Sequence, residues 1–186
     1  MKPKILVSRK ISDSAEEILK QEFDVKLNLE DKPYSYDELK KLANNYDGLI
    51  STSFDKLDKN FFESLTGKLK IIGHVGVGYD NIDIESAKEK NIKVSNTPNV
   101  LNDAVAEITL LLILASSRRI GEAYNLVKTN TWKDHKPDIT KLMVGNEITG
   151  KTLGIIGMGR IGQIVADRAR AFKMKIVYFN RNKLSS

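Results

Sequence analysis

One six-residue run, Gly157-Met-Gly159-Arg-Ile-Gly162, constrains this chain more than anything else in it. It lies between an apolar strand-like segment, Leu153 to Ile156, and an amphipathic stretch from Arg160 to Phe172. Strand, glycine turn and helix in that order open a dinucleotide-binding unit. Gly157 permits the tight turn. Gly159 lacks a Cβ, so a pyrophosphate can approach the backbone, and Gly162 lets the helix pack closely on the strand. The start of the helix then offers unpaired N–H groups to phosphate. Charge agrees with this. Residues 151–186 carry a net +7, whereas residues 1–150 carry −1. A nucleic-acid patch would have the same sign, but the glycine loop accounts for the charge better.

The second strand of this unit is Lys175 to Phe179, followed by Asn180-Arg181-Asn182-Lys183. An acid at this place holds the ribose 2′-hydroxyl of NAD, and an arginine suits the 2′-phosphate of NADP. No acid occurs between Arg168 and Ser186, so nothing repels a 2′-phosphate. Arg181 adds a planar donor fork. The expectation is NADP(H) in preference to NAD(H).

Upstream, short strands and helices alternate. Apolar runs predict strands at Lys4 to Ser8, Asp24 to Leu29, Gly48 to Ser51, Leu69 to His74 and Ile92 to Val94. Helices are expected over Ser12 to Phe23, from the Ser35…Glu38 capping box, over Leu57 to Leu65 and over Asp83 to Lys90. Alternation in such short units means a mostly parallel sheet covered by helices. Pro98, in the turn cluster Asn96 to Asn99, ends this region. A long helix from about Asn102 to Arg119 is apolar over most of its circumference, which predicts burial between two bodies of protein. Gly121 is expected to break it before a second helix. The fold class is therefore α/β, with domains 1–98 and 99–186.

Composition closes other routes. There is no cysteine, hence no disulfide, Cys-ligated metal site or thiol nucleophile. No metal site is expected. The longest purely apolar stretch, Leu110 to Ala115, is far short of the roughly 20 residues a membrane span needs. The N-terminus lacks the features of a secretion signal. The expected setting is cytoplasmic, without membrane or nucleic-acid partners.

A second glycine turn, Gly73-His-Val-Gly76-Val-Gly78-Tyr-Asp-Asn-Ile-Asp83, follows the fourth strand. Its spacing is not that of a dinucleotide loop, but its backbone N–H groups can cradle a small anion. Taken with Val94-Ser-Asn-Thr-Pro98, Asp103-Ala-Val-Ala-Glu107, Arg118-Arg119 and Gly150-Lys-Thr-Leu-Gly-Ile-Ile-Gly157, it makes the chain resemble a D-isomer-specific 2-hydroxyacid dehydrogenase along nearly its whole length. Asn180-Arg181 is most similar to the glyoxylate/hydroxypyruvate reductases within that family.

The resemblance implies a flavodoxin-like substrate domain over 1–98 and an incomplete Rossmann domain over 99–186. It implies that the N–H groups of Val77 and Gly78 hold the carboxylate of a small 2-keto or 2-hydroxy acid, with Thr52 and Ser53 nearby. It implies that Met158 to Ile161, Arg160 included, and Asn180 to Asn182 contact NADP(H), and that the protein is a homodimer through its nucleotide domain, using the long helices and the loop around Trp132. The family's catalytic Arg, Glu and His follow the point where this chain stops, so no catalytic residue is assigned. His74 reads as structural, His135 as a surface residue, and Arg118 and Arg119 as helix-terminal cations. The chain is expected to be a truncated reductase, inactive alone and self-associating. The alternative is an inactive dinucleotide- or partner-binding remnant, or one half of a split enzyme.

Overall fold

A computed structural model describes residues 1–130 and 144–182. The chain divides into two compact units, Met1–Pro98 and Asn99–Ser186, the division falling inside the Asn96–Asn99 turn cluster. Trp132, His135 and Lys183 lie outside the described residues.

In the first unit, β1 (Lys4–Val7), β2 (Asp24–Lys26), β3 (Gly48–Thr52), β4 (Ile71–Val75) and β5 (Lys93–Ser95) form one parallel sheet in the order β2-β1-β3-β4-β5. This is the flavodoxin-like order, and it reverses direction between β1 and β3. Alternating residues divide the strands. Leu6, Leu49 and Ile72 face a core shared with α2 (Tyr36–Ala43), α3 (Lys59–Glu63) and α4 (Ile84–Glu89), where Leu39, Ala43, Phe61, Phe62 and Ala87 are buried. Ile5, Val7 and Ile50 alternate with these residues on the other side, where Leu19 and Phe23 of the α1 (Asp13–Glu22) region join Ile5 and Ile50 in lining an open groove.

Helix starts follow local chemistry. Ser12, Ser35, Asp58 and Asp83 each cap a helix by accepting a main-chain N–H, and Ser35 with Glu38 completes the reciprocal capping box. Two expected elements are shorter than their apolar pattern. β2 stops at Lys26 because Asn28 turns the chain: its Nδ2 donates to the carbonyls of Ser8 at 2.8 Å and Lys32 at 2.7 Å. Leu57 does not join α3. It bridges Ile82 instead, its N–H bonded to Asn81 and its carbonyl to Asp83 N–H.

The second unit holds α5 (Asn102–Ser117), α6 (Ile120–Lys128), β6 (Thr152–Ile156), α7 (Arg160–Ala171) and β7 (Lys175–Phe179). β6 and β7 pair in parallel, Ile156 opposite Phe179. Two expectations are corrected here. The break between α5 and α6 is at Arg119, which is left-handed at φ 57°, and Gly121 lies inside α6. A glycine in a first turn costs only about 1 kcal/mol, whereas the ion pair of Arg119 with Glu122 favours a helix start there. The long helix is also not buried. α7 packs on α5 and Arg168 reaches Asp103, but Ala106 alone is buried along α5, while Ile108, Leu111 and Leu112 are exposed.

Candidate functional site

Open parallel sheets bind ligands outside the carboxyl ends of their strands, beside the point where strand order reverses. In the first unit that edge comprises the segments after β1, β3 and β4. Ser8 is fully buried, and its hydroxyl donates to Asp55 Oδ2 at 2.5 Å. The same Asp55 oxygen accepts from the N–H of Thr52 at 2.7 Å. Asn81 Nδ2 donates to the carbonyls of Thr52 at 3.2 Å and Asp55 at 2.7 Å. The β3–α3 and β4–α4 segments are thereby fastened together. Thr52 stands opposite Val75, one residue before Gly76, so the structure brings Thr52 to the glycine turn. Its hydroxyl is partly engaged by Asp55 at 3.3 Å, and Ser53 is exposed.

Arg9 forms a fork on Asp31, Nε to Oδ1 at 2.8 Å and Nη2 to Oδ2 at 3.1 Å, and lies 5.1 Å from the centre of the exposed Phe54 ring. The Arg9 guanidinium, with the N–H of Lys10, pulls the Asp31 carboxyl down to about 2. The Arg9 pKa is correspondingly raised.

The turn from Gly76 to Gly78 is held by its carbonyl groups. The Gly76 carbonyl accepts from Thr97 N–H at 2.9 Å and from its hydroxyl at 3.2 Å. The Val77 carbonyl accepts from Asn96 Nδ2 at 2.8 Å, and the Gly78 carbonyl from His74 Nε2 at 2.9 Å. A carbonyl can only accept, so Nε2 of His74 carries a proton, and Nδ1 lies within hydrogen-bond distance of the Ser51 hydroxyl at 3.1 Å. His74 is 1 % exposed with both ring nitrogens engaged, which is a structural role. With three successive carbonyls held, the N–H groups of Val77 and Gly78 have no acceptor among the described residues. Such an arrangement can receive a small anion. The sequence pointed to Val77 and Gly78. It did not point to Ser8, Ser51, Asp55, Asn81 or Asn96, each of which has a partner in a segment 19 or more residues away.

In the second unit, Gly157 has φ +98°, the left-handed region that favours glycine. A Cβ on Gly162 would stand 2.3 Å from the Gly157 carbonyl oxygen, so only glycine lets α7 start this close to the turn. A Cβ on Gly159 would meet nothing within 4 Å, so that side of the loop is open. Gly159 caps α7 without a side chain, leaving main-chain donors of the first turn available. Gly157 N–H bonds the Phe179 carbonyl at 2.9 Å. That bond sets Asn180, Arg181 and Asn182 beside the glycine turn. Arg160 and Arg181 are exposed, Ile161 is half-buried, and Asn180 Nδ2 is bonded to the Asn182 carbonyl at 2.9 Å. Met158 is 4 % exposed, so it presents main chain rather than side chain to this region. A dinucleotide fits the φ of Gly157, the close approach at Gly162 and the open space at Gly159.

Among the described residues no group of three or more His, Cys, Asp or Glu could hold a metal ion, and no helix is long and apolar enough to cross a membrane.

A flavodoxin-like parallel sheet with a glycine turn after β4, followed by a Rossmann-type glycine unit, defines an α/β protein of the two-domain dehydrogenase class. The model of the D-isomer specific 2-hydroxyacid dehydrogenase catalytic domain matches residues 5–180. The chain belongs to that family. It is 39% identical over 186 residues to a glyoxylate reductase of Pyrococcus horikoshii, covering 98% of this chain and 55% of the relative. The chain thus spans about half the length of the curated relatives it matches. Among solved structures it is similar to an acyclic imino acid reductase in complex with NADPH and D-Arg, with TM-score 0.81, 29% identity, and coverage of 98% of this chain and 58% of that one. It is similar also to an NAD+-bound 3-phosphoglycerate dehydrogenase of Entamoeba histolytica, with TM-score 0.75, 27% identity, and coverage of 100% and 56%.

Proposed function

We propose that this chain supplies the substrate-carboxylate site and the dinucleotide loop of an NADP(H)-dependent reductase of glyoxylate or hydroxypyruvate. One observation carries the reading: the carbonyl groups of Gly76, Val77 and Gly78 are all held by donors within their own unit, and the N–H groups of Val77 and Gly78 are left without an acceptor. Those two N–H groups hold the substrate carboxylate, with Thr52 and Ser53 at its border. The glyoxylate reductase among the relatives supports a two-carbon keto acid.

Gly157, Met158, Gly159, Arg160, Ile161 and Gly162 would hold the cofactor. Asn180, Arg181 and Asn182 would receive its 2′-phosphate, with the Arg181 guanidinium as donor and no acid in the sequence from Lys173 to Ser186 to repel it. When bound, the nicotinamide supplies hydride to the substrate carbonyl. The residues of this chain bind and orient, and none is assigned the proton transfer. NADPH in one similar structure and NAD+ in another support a nicotinamide cofactor, while the composition after Phe179 favours NADP(H). The exposed apolar residues of α5 and α6 support a homodimer through the second unit. The proposed setting is cytoplasmic.

Titration of the chain with NADPH and with NADH tests this. NADPH is expected to bind more tightly, and Arg181→Ala to weaken NADPH by roughly tenfold to a hundredfold, the range of a charge-assisted hydrogen bond, while leaving NADH unchanged. Equal affinity for the two cofactors would overturn the NADP(H) assignment.

A further inference from the structure

A trans peptide is planar, with its C=O and N–H at opposite sides, so holding one end aims the other. The Val77 carbonyl and the Gly78 N–H are two ends of one such plane. The Gly76 carbonyl and the Val77 N–H are two ends of the plane before it. Asn96 Nδ2 holds the first at 2.8 Å and Thr97 holds the second through its N–H at 2.9 Å and its hydroxyl at 3.2 Å. Both planes are therefore set from two adjacent residues that follow the edge strand β5.

We propose that Asn96 is a positioning residue: its side-chain amide fixes the Val77–Gly78 peptide so that the Gly78 N–H meets a bound carboxylate. The proposal rests on the reading that Val77 and Gly78 form the carboxylate site. Thr97 also binds through its own main chain, which no substitution short of proline removes. Asn96 binds by side chain alone, reaching back 19 residues, half-buried in its own unit. Only its amide nitrogen can face a carbonyl. A hydrogen bond accepted by the carbonyl also polarises the N–H at the far end of the plane. Asn96 touches no substrate; it acts through the peptide it holds.

Asn96→Asp keeps the shape and inverts the chemistry, setting a carboxylate oxygen against the Val77 carbonyl. Asn96→Ala removes the donor without adding repulsion. The isotope-labelled full chain is titrated with sodium glyoxylate while the amide resonances of Val77 and Gly78 are followed by NMR. Both resonances are expected to respond in the unaltered chain. Asn96→Asp is expected to weaken glyoxylate at least tenfold, and Asn96→Ala less than that. The Val77 carbonyl resonance should move in both variants, while those of Leu6, Leu49 and Ile72 in the sheet core stay in place. If Asn96→Asp disturbs the core resonances, Asn96→Ala decides the matter. Unchanged glyoxylate affinity in the variants, with Val77 and Gly78 still responding, overturns the role of Asn96 alone. Silence of Val77 and Gly78 in the unaltered chain overturns the carboxylate site itself, and this proposal with it.

Discussion

Two glycines in one loop have opposite reasons to be glycine. Gly162 is required by the protein: its missing Cβ would press on main chain, the Gly157 carbonyl oxygen at 2.3 Å and its carbon at 3.3 Å. Main chain cannot swing aside as a side-chain tip can. Gly162→Ala should therefore lower stability by about 1–3 kcal/mol, as overpacking does, measured as a shifted denaturant midpoint. Gly159 has open space around its Cβ position and φ −79°, so Gly159→Ala should stay within about 1 kcal/mol of the parent while losing NADPH affinity. Equal stability losses would refute the distinction. A second residue-scale consequence concerns acid. Asp31 is held at about 2 by Arg9, below its ordinary 3.8, so folding gains from its ionised form. That contribution is present above about pH 4 and disappears as pH falls through about 2. An acid titration should show the parent and Asp31→Asn differing in unfolding midpoint at neutral pH and converging across that interval.

Among the elements, α5 departs most from the expectation for its sequence. Its apolar circumference predicts burial on nearly every side, yet α7 covers only part of it and Ile108, Leu111 and Leu112 remain 55%, 57% and 62% exposed. Periodicity states that a helix must be covered but not by what. Exposed apolar helix faces of this kind drive association. The chain should self-associate in sedimentation experiments, and Leu112→Glu should shift it towards smaller species; identical sedimentation of the two would exclude this face. Other elements were legible because their signals are local. Ser35 and Glu38 are three residues apart and cap α2 as their spacing requires. The end of β2 was hidden because Asn28 acts through the carbonyl of Ser8, 20 residues away. The α5–α6 break was hidden because an ordinary residue, Arg119, adopts the left-handed conformation that glycine was expected to supply.

For the whole molecule, strand–helix alternation was enough to read a parallel α/β sheet, and the two glycine turns were enough to single out both candidate sites for proposal. The chain's order of elements carries that much, because each turn follows its own strand. What holds the first turn was not legible. His74 meets Ser51 across 23 residues, Asn81 meets Thr52 across 29, and Asn96 meets Val77 across 19. No periodic pattern encodes these pairs; they exist only after β3, β4 and β5 have taken their places in the sheet. The feature with the longest reach is the turn held by its carbonyls. Whatever its two N–H groups bind, they are main-chain atoms that every residue except proline possesses. The Val77 side chain can therefore be exchanged for any other than proline with little effect on them. What a substitution can reach lies at a distance, in the side chains of Asn96, Thr97 and His74 that grip the opposite ends of its peptides.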